Sequence, residues 1–235
     1  MGAKKEKVSR DSLRLDASAE VARITSFIRE KVVTTLRRKG VVVGLSGGID
    51  SSTVAALAVR ALGADRVIGL FMPESDSSDD SLRLGQLLAE KLGIRTFTED
   101  ISGILRGAEC YRRRDEAIRT VVPEYHSGYK SKLVLSSLDS SEFRISYVVV
   151  QSPDGEQRKV RLTAEAFLAL VAATNFKQRT RKMMEYYYAD RFQYAVAGTP
   201  NRLEYDLGFF VKNGDGSADI KPIAHLYKSQ VYQLA

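Results

Sequence analysis

The densest chemical signal in the chain is the stretch Val41-Val42-Val43-Gly44-Leu45-Ser46-Gly47-Gly48-Ile49-Asp50-Ser51-Ser52. An apolar β-branched run ends in a Ser-Gly-Gly turn, and an Asp and two hydroxyls lead into a helix-forming run over 53–62. Such a run predicts a strand that delivers the turn to the edge of a sheet. Gly47 and Gly48 remove β-carbons, so backbone N–H groups can close on a phosphate oxygen. The helix start adds unpaired N–H groups and the positive end of its dipole. Ser46, Ser51 and Ser52 can donate from their side chains. Asp50 is the anomaly, because a carboxylate repels a bare polyphosphate. It fits if it holds Mg²⁺ against the phosphates. Two commoner nucleotide motifs do not fit: no Lys closes the loop, and Gly-x-Gly-x-x-Gly is absent.

Three segments of the second half are richer in functional residue types than packing requires. The first is Asn175-Phe176-Lys177-Gln178-Arg179-Thr180-Arg181. The second is Gly198-Thr199-Pro200-Asn201-Arg202-Leu203-Glu204, running on to Gly208-Phe209-Phe210-Val211-Lys212. The third is Asn213-Gly214-Asp215-Gly216-Ser217-Ala218-Asp219-Ile220, leading to Leu226-Tyr227-Lys228. Taken singly, each has a plain reading. Lys212 and Lys228 suit a solvated surface, Asp215 suits a turn, and Arg179 and Arg181 suit an exposed helix face. Tyr186-Tyr187-Tyr188 suits packing better than a stacking platform.

The elements that must carry these residues are legible in outline. Residues 16–39 read as a helix with Val21, Ile24, Phe27, Ile28 and Leu36 near one face. Strands are predicted over 41–45, 67–72 and 94–97. Ser78 can cap a helix whose apolar face carries Leu84, Leu87, Leu88 and Leu92, and Gly93 ends it. This alternation predicts an α/β fold, a doubly wound parallel sheet with ligands at the carboxyl ends of its strands. Residues 126–141 read as polar loop. Runs over 143–150 and 157–162 flank Ser152-Pro153-Asp154-Gly155 and predict a β-hairpin. The stretch 108–162 is read as an insertion in a single domain over 13–235, with 1–12 a disordered tail. Thr163 caps a helix over 164–173, and a second helix over 176–188 carries Lys177, Arg179, Arg181 and Lys182. A short buried strand over 194–197 and a helix near 228–234 follow.

Composition narrows the function classes. The chain has 235 residues, 44% hydrophobic and 28% charged, which is ordinary for a soluble protein. No apolar run approaches the ~20 residues needed to span a bilayer, and the basic, polar start is no secretory signal. One cysteine, Cys110, excludes an internal disulfide, and with only His126 and His225 a zinc site is not expected. A reducing cytoplasm is the expected location. The formal charge of +7 calls for an anionic partner, for which nucleotide phosphates and nucleic acid both qualify.

The motif Ser46-Gly47-Gly48-Ile49-Asp50-Ser51 resembles the pyrophosphate loop of the ATP pyrophosphatase superfamily. Those enzymes cut ATP between the α and β phosphates and adenylate a substrate. With the run Gly208-Phe209-Phe210-Val211-Lys212-Asn213-Gly214-Asp215-Gly216-Ser217-Ala218-Asp219, the chain closely resembles NAD synthetase of the ammonia-dependent type. The resemblance covers roughly 40–100 and 175–235 and leaves 100–175 largely uncovered. It implies an adenine nucleotide alpha hydrolase-like fold, ATP as co-substrate, Mg²⁺ as cofactor and a homodimer. It implies that Gly44, Leu45, Ser46, Gly47, Gly48, Ile49, Asp50 and Ser51 cradle the ATP phosphates, with Asp50 and Glu204 on Mg²⁺. Thr199 and Lys228 would also contact those phosphates. Arg179, Lys212 and Asp219 would bind deamido-NAD, with Asn175 and Phe209 lining its site. Asp215 would lie near the reacting carboxylate and ammonia, so that Asp50, Asp215 and Lys228 form the catalytic set.

The implied chemistry suits these residue types. A carboxylate is a poor electrophile, and adenylation makes it a mixed anhydride with AMP as leaving group. Cations neutralise the charge developing on pyrophosphate. Ammonia is mostly ammonium at neutral pH, so a nearby carboxylate can bind it and accept a proton. The sequence departs from the compact members at Thr199-Pro200-Asn201-Arg202-Leu203-Glu204, where they have Thr-Asp-His-Ala-Ala-Glu; this is read as subfamily variation. The family continues past the position of Ala235 with a segment that folds over the phosphates. A chain ending there is expected to bind ATP with Mg²⁺ but to amidate poorly. The glutamine-dependent members carry a large amidase domain with a catalytic Cys, for which this chain has no room, so direct use of ammonia is expected. Two rivals stand beside this reading. One is a tRNA-modifying pyrophosphatase, motivated by the charge and by Arg158, Lys159 and Arg161; it would bring nucleic acid in as a partner, which the main reading does not. The other is a nucleotide-binding module without turnover.

Overall fold

A computed structural model describes residues 10–135 and 146–235. The expected tail over 1–12 falls largely outside the described residues, as does the start of the expected hairpin strand at Phe143. In chain order the elements are α1 (Ala17–Arg29), β1 (Val41–Gly44), α2 (Ile49–Leu62), β2 (Val67–Phe71), α3 (Asp79–Leu92), β3 (Arg95–Thr98), α4 (Ser102–Gly107), α5 (Cys110–Arg119), β4 (Lys130–Leu135), β5 (Ser146–Gln151), β6 (Gln157–Arg161), α6 (Ala164–Phe192), β7 (Ala195–Val196), α7 (Arg202–Asp206) and α8 (Lys228–Leu234). They divide into two compact units: residues up to Ser102 together with Arg179–Ala235, and Gly103–Gln178.

The first unit is built on a parallel sheet in the order β3-β2-β1-β7. β1 is the pivot, pairing Val41 with Val67 on one side and with Ala195 on the other. The pivot and its neighbour β2 are apolar: residues 41–43 and 67–71 are all buried. That is the signature of a parallel sheet covered on both faces. Ile24 and Ile28 from α1, Val32 from the turn that follows it, Val54, Leu57 and Ala58 from α2, and Ile223 and Val231 from the C-terminal segment join one apolar core. Asp16 caps α1 by accepting from the Ala19 N–H at 3.0 Å, and the following turn, residues 30–35, widens into a π-helix.

Sequence patterning misplaced one face. Leu84 and Leu87 of α3 are exposed, while Leu82, Leu88, Ala89 and Leu92 pack on the core. The cap at Ser78 and the left-handed Gly93 terminus are as expected. The two helices expected over 164–173 and 176–188 are one continuous element, α6. No Gly or Pro stands between them, and Asn175 alone costs too little to break a helix.

The second unit has its own core. β4, β5 and β6 form an antiparallel sheet whose buried Val148 and Val150 meet Ile118, Val122, Tyr125, Leu162 and Leu170. The expected hairpin is present as β5 and β6, and β4 is a third strand where polar loop was expected. Strand alternation places Lys159 and Arg161 on one face and Arg158 on the other. Arg158 pairs with Glu124, and the Lys159 ammonium lies 4.2 Å from the centre of the Tyr147 ring.

Candidate active site

β1 ends at Gly44, and the chain turns through Leu45, Ser46, Gly47 and Gly48 into α2 at the carboxyl edge of the sheet. Gly47 has φ +74°, and a β-carbon there would stand 2.4 Å from the Ser81 carbonyl oxygen. Both conformation and space therefore demand glycine at this position. Gly48 is the N-cap of α2 and offers no side-chain cap, so the first turn of the helix opens on the loop. The serines brace the loop internally. The Ser51 hydroxyl donates to the Gly48 carbonyl at 3.0 Å and lies 3.2 Å from the Ser46 hydroxyl, and Ser52 donates to the same carbonyl at 2.9 Å. Ser51 is buried and Ser46 exposed, so the outer hydroxyl is the one presented to solvent.

Opposite the loop, the segment after β7 closes a pocket of about 240 Å³. Ser46, Gly48, Asp50 and Ser51 line it together with Thr199, Glu204, Phe209 and Asp215. Eight residues singled out in the sequence thus meet in one cavity. Pro200 and Phe210 also line it and were missed, since an apolar residue next to a motif carries no chemical signal of its own. Phe210 has a clear packing role: its ring fills the space a Gly216 side chain would need, 2.2 Å from a built β-carbon.

Each acidic residue has a defined setting. Asp50 Oδ2 accepts from the Lys228 ammonium, brought in at the start of α8, while Asp50 Oδ1 is buried with no hydrogen-bond partner among the described residues. An orphaned carboxylate oxygen is costly unless something cationic meets it. Glu204 closes a capping box on α7. Its Oε2 accepts from the Asn201 N–H at 3.0 Å, while Asn201 Oδ1 accepts from the Leu203 and Glu204 N–H groups. Asp215 Oδ1 accepts from the Val211 N–H at 2.6 Å, so Asp215 is both turn residue and pocket lining.

The residues assigned to a dinucleotide site are more dispersed. Arg179 Nε donates to the Lys212 carbonyl at 3.2 Å, which joins those two positions. Asp219 lies on neither the loop nor its pocket. Its Oδ2 accepts from the Val196 N–H at 2.7 Å, its Oδ1 accepts from the Tyr186 hydroxyl at 3.3 Å, and it lines a separate cavity of about 850 Å³ with Phe27, Lys31, Arg202, Tyr205 and Lys221. Burial, and secondarily the Asp219 carboxylate, push the Tyr186 phenol up to about 12, so it donates throughout the neutral range. Asn175 belongs to the second unit, half-buried on α6.

The fit of Mg²⁺ can be judged from the donors. Among the described residues no three His, Cys, Asp or Glu side chains gather into a metal cage. Asp50 and Glu204 line the same pocket, and Asp50 offers an oxygen without a partner among the described residues. Mg²⁺ commonly keeps several waters and takes one or two carboxylates plus phosphate oxygens, so this donor set fits it.

The chain resembles known proteins along nearly its whole length. The family model described as NAD synthase matches residues 20–151 and 156–235. An NH(3)-dependent NAD(+) synthetase of Mesorhizobium japonicum is 62% identical over 224 residues, covering 95% of this chain and 70% of that protein. One from Thermotoga neapolitana is 39% identical over 213 residues, covering 90% of this chain and 68% of that protein. Among solved structures, an NH3-dependent NAD synthetase from Campylobacter jejuni in complex with the nitrate ion superposes with a TM-score of 0.64 at 28% identity. That superposition covers 94% of this chain and 73% of the other.

Proposed function

The chain belongs to the NAD synthase family, and from that premise we propose how its pocket works. The protein is a ligase that forms a C–N bond, amidating deamido-NAD to NAD with ammonia at the expense of ATP. The observation that carries the site assignment is the meeting of the Ser-Gly-Gly loop, Thr199, Glu204 and Asp215 in one cavity.

In this reading the backbone of residues 44–51 and the first turn of α2 receive the ATP phosphates, joined by the Ser46 hydroxyl, Thr199 and Lys228. Asp50 and Glu204 would hold Mg²⁺, which when bound offsets charge on the polyphosphate and on the departing pyrophosphate. Arg179 and Lys212 neutralise the phosphates of deamido-NAD. Phe209, 69% exposed at the pocket rim, offers an aromatic surface to the same ligand. Asp219, locked by Tyr186 and the Val196 N–H, is a fixed acceptor for a ribose hydroxyl. The substrate carboxylate attacks the α-phosphorus, pyrophosphate leaves, and an acyl-adenylate forms. Ammonia then displaces AMP, with Asp215 holding ammonium and accepting its proton. A homodimer in the cytoplasm completes the reading, supported by the family resemblance; no described helix is long and apolar enough to cross a membrane.

The test is a stoichiometry. NAD, AMP and pyrophosphate should appear in equal amounts when ATP, Mg²⁺, deamido-NAD and ammonium are all supplied. Pyrophosphate release that ignores deamido-NAD would overturn the assignment.

A further inference from the structure

Lys182 and Glu185 stand one turn apart on α6, only 5% and 8% exposed, with the ammonium 2.6 Å from Glu185 Oε2. Nothing in the amidation chemistry uses them. The other carboxylate oxygen has a specific neighbour: a β-carbon built on Gly44 would lie 2.8 Å from Glu185 Oε1 and 3.3 Å from Met72 Cε. The carboxylate therefore rests against the α-carbon of Gly44, the last residue of β1 and the first of the phosphate loop. The charges that face it are the Lys182 ammonium, Arg181 and the pocket carboxylate of Asp215. Burial pushes the Glu185 carboxyl up, and the Lys182 ammonium opposes that shift.

Stability does not account for this pair. Two charges lose their hydration on burial, and apolar side chains of similar volume commonly hold a core as well or better. What a buried ion pair does supply is a fixed geometry. Apolar side chains can change rotamer to relax around a neighbour, whereas a charged oxygen held by its counter-charge stays where the pair puts it. Gly44 supplies the complementary half, since any side chain would occupy the place of the carboxylate.

Resting on the reading of the loop as the seat of ATP, we propose that the Lys182–Glu185 pair is a positioning device that sets the end of β1. With the carboxylate fixed behind Gly44, the backbone from Leu45 to Gly48 cannot recede from the phosphates. Lys182 and Glu185 act through the loop and do not touch the reacting atoms.

The test uses the purified protein and calorimetric ATP binding with Mg²⁺, read beside steady-state KM values. K182M/E185L should fold with an unchanged or raised Tm, yet its Kd and KM for ATP should rise about tenfold, which is about 1.4 kcal/mol of binding. Its KM for deamido-NAD should stay put, which a general loosening of the fold would not allow. G44A should bind ATP poorly, and G44A/E185D, with the shorter carboxylate withdrawn, should recover much of that binding. Unchanged ATP affinity in folded K182M/E185L, or equal ATP affinities for G44A and G44A/E185D, would overturn the proposal. If K182M/E185L does not fold, the G44A pair decides alone. Calorimetry keeps the outcomes separate: a parent protein that binds ATP but makes no NAD contradicts the proposed reaction and leaves the positioning test readable.

Discussion

The Lys228 ammonium donates to Asp50 Oδ2 from a position 178 residues away, while Asp50 Oδ1 is buried without a partner among the described residues. A cation and a half-satisfied carboxylate thus stand side by side at the mouth of a helix. Asp50→Ala should remove a proposed Mg²⁺ ligand and lower turnover by a factor on the order of 10² or more. The fold should survive, checked by circular dichroism and Tm. Near-parental turnover in the folded variant would remove Asp50 from the mechanism. Lys228→Met removes a cation from the proposed phosphate contacts and should raise KM for ATP, while the freed second Asp50 oxygen should leave the Mg²⁺ concentration needed for half-maximal rate unchanged or lower.

Gly47 is constrained twice. Its positive φ disfavours any side chain, and a β-carbon would run into the Ser81 carbonyl at the start of α3. Gly47→Val is therefore expected to abolish ATP binding by displacing the loop as well as by blocking the phosphate. Calorimetry on the folded fraction checks this; unchanged affinity would put the phosphate cradle elsewhere.

Arg179 and Asp219 should behave differently, although both are assigned to the dinucleotide. Arg179→Ala removes an exposed cation and should weaken deamido-NAD binding by ~1–3 kcal/mol with Tm unchanged. Lys212→Ala should follow it. Asp219→Ala also frees the Val196 N–H and the Tyr186 hydroxyl, so it should lower Tm as well as affinity. ATP affinity should change little in all three. Loss of ATP binding with deamido-NAD binding intact would mean that the two sites are exchanged.

Alkaline pH offers a separate check. Burial, with help from Asp219 and Glu99 respectively, raises the phenols of Tyr186 and Tyr188 from 10 to about 12. Between those values the unfolded chain gives up protons that the native state keeps. Their contribution to stability is therefore full below about pH 10 and is lost as the pH rises through about 12. Denaturation midpoints should fall across this window, and the fall should be shallower in Tyr186→Phe and Tyr188→Phe. Parallel curves for parent and variants would contradict the assigned settings.

Legibility in the sequence followed the physics of each segment. The strand, Ser-Gly-Gly turn and helix of residues 41–62 were plain because glycines, β-branched residues and an orphan Asp all point one way. Thr199, Glu204, Phe209 and Asp215 were found through motif resemblance, and only the fold shows that they share a cavity with that loop. β4 was missed because Lys130, Ser131 and Lys132 are polar and exposed, so the start of the strand reads as polar loop. The burial of Lys182 and Glu185 was invisible, since a charged residue on a helix ordinarily faces water. Leu84 and Leu87 misled in the opposite sense, being apolar and exposed.

The measurement closest to the central claim is the nitrogen source and product of a purified protein carrying this sequence. With ATP, Mg²⁺ and deamido-NAD present, added ammonium should yield NAD with one AMP and one pyrophosphate per turnover. Asp50→Ala should suppress all three products together. Pyrophosphate release that needs tRNA and not deamido-NAD, or that persists with no amide product, would contradict the account.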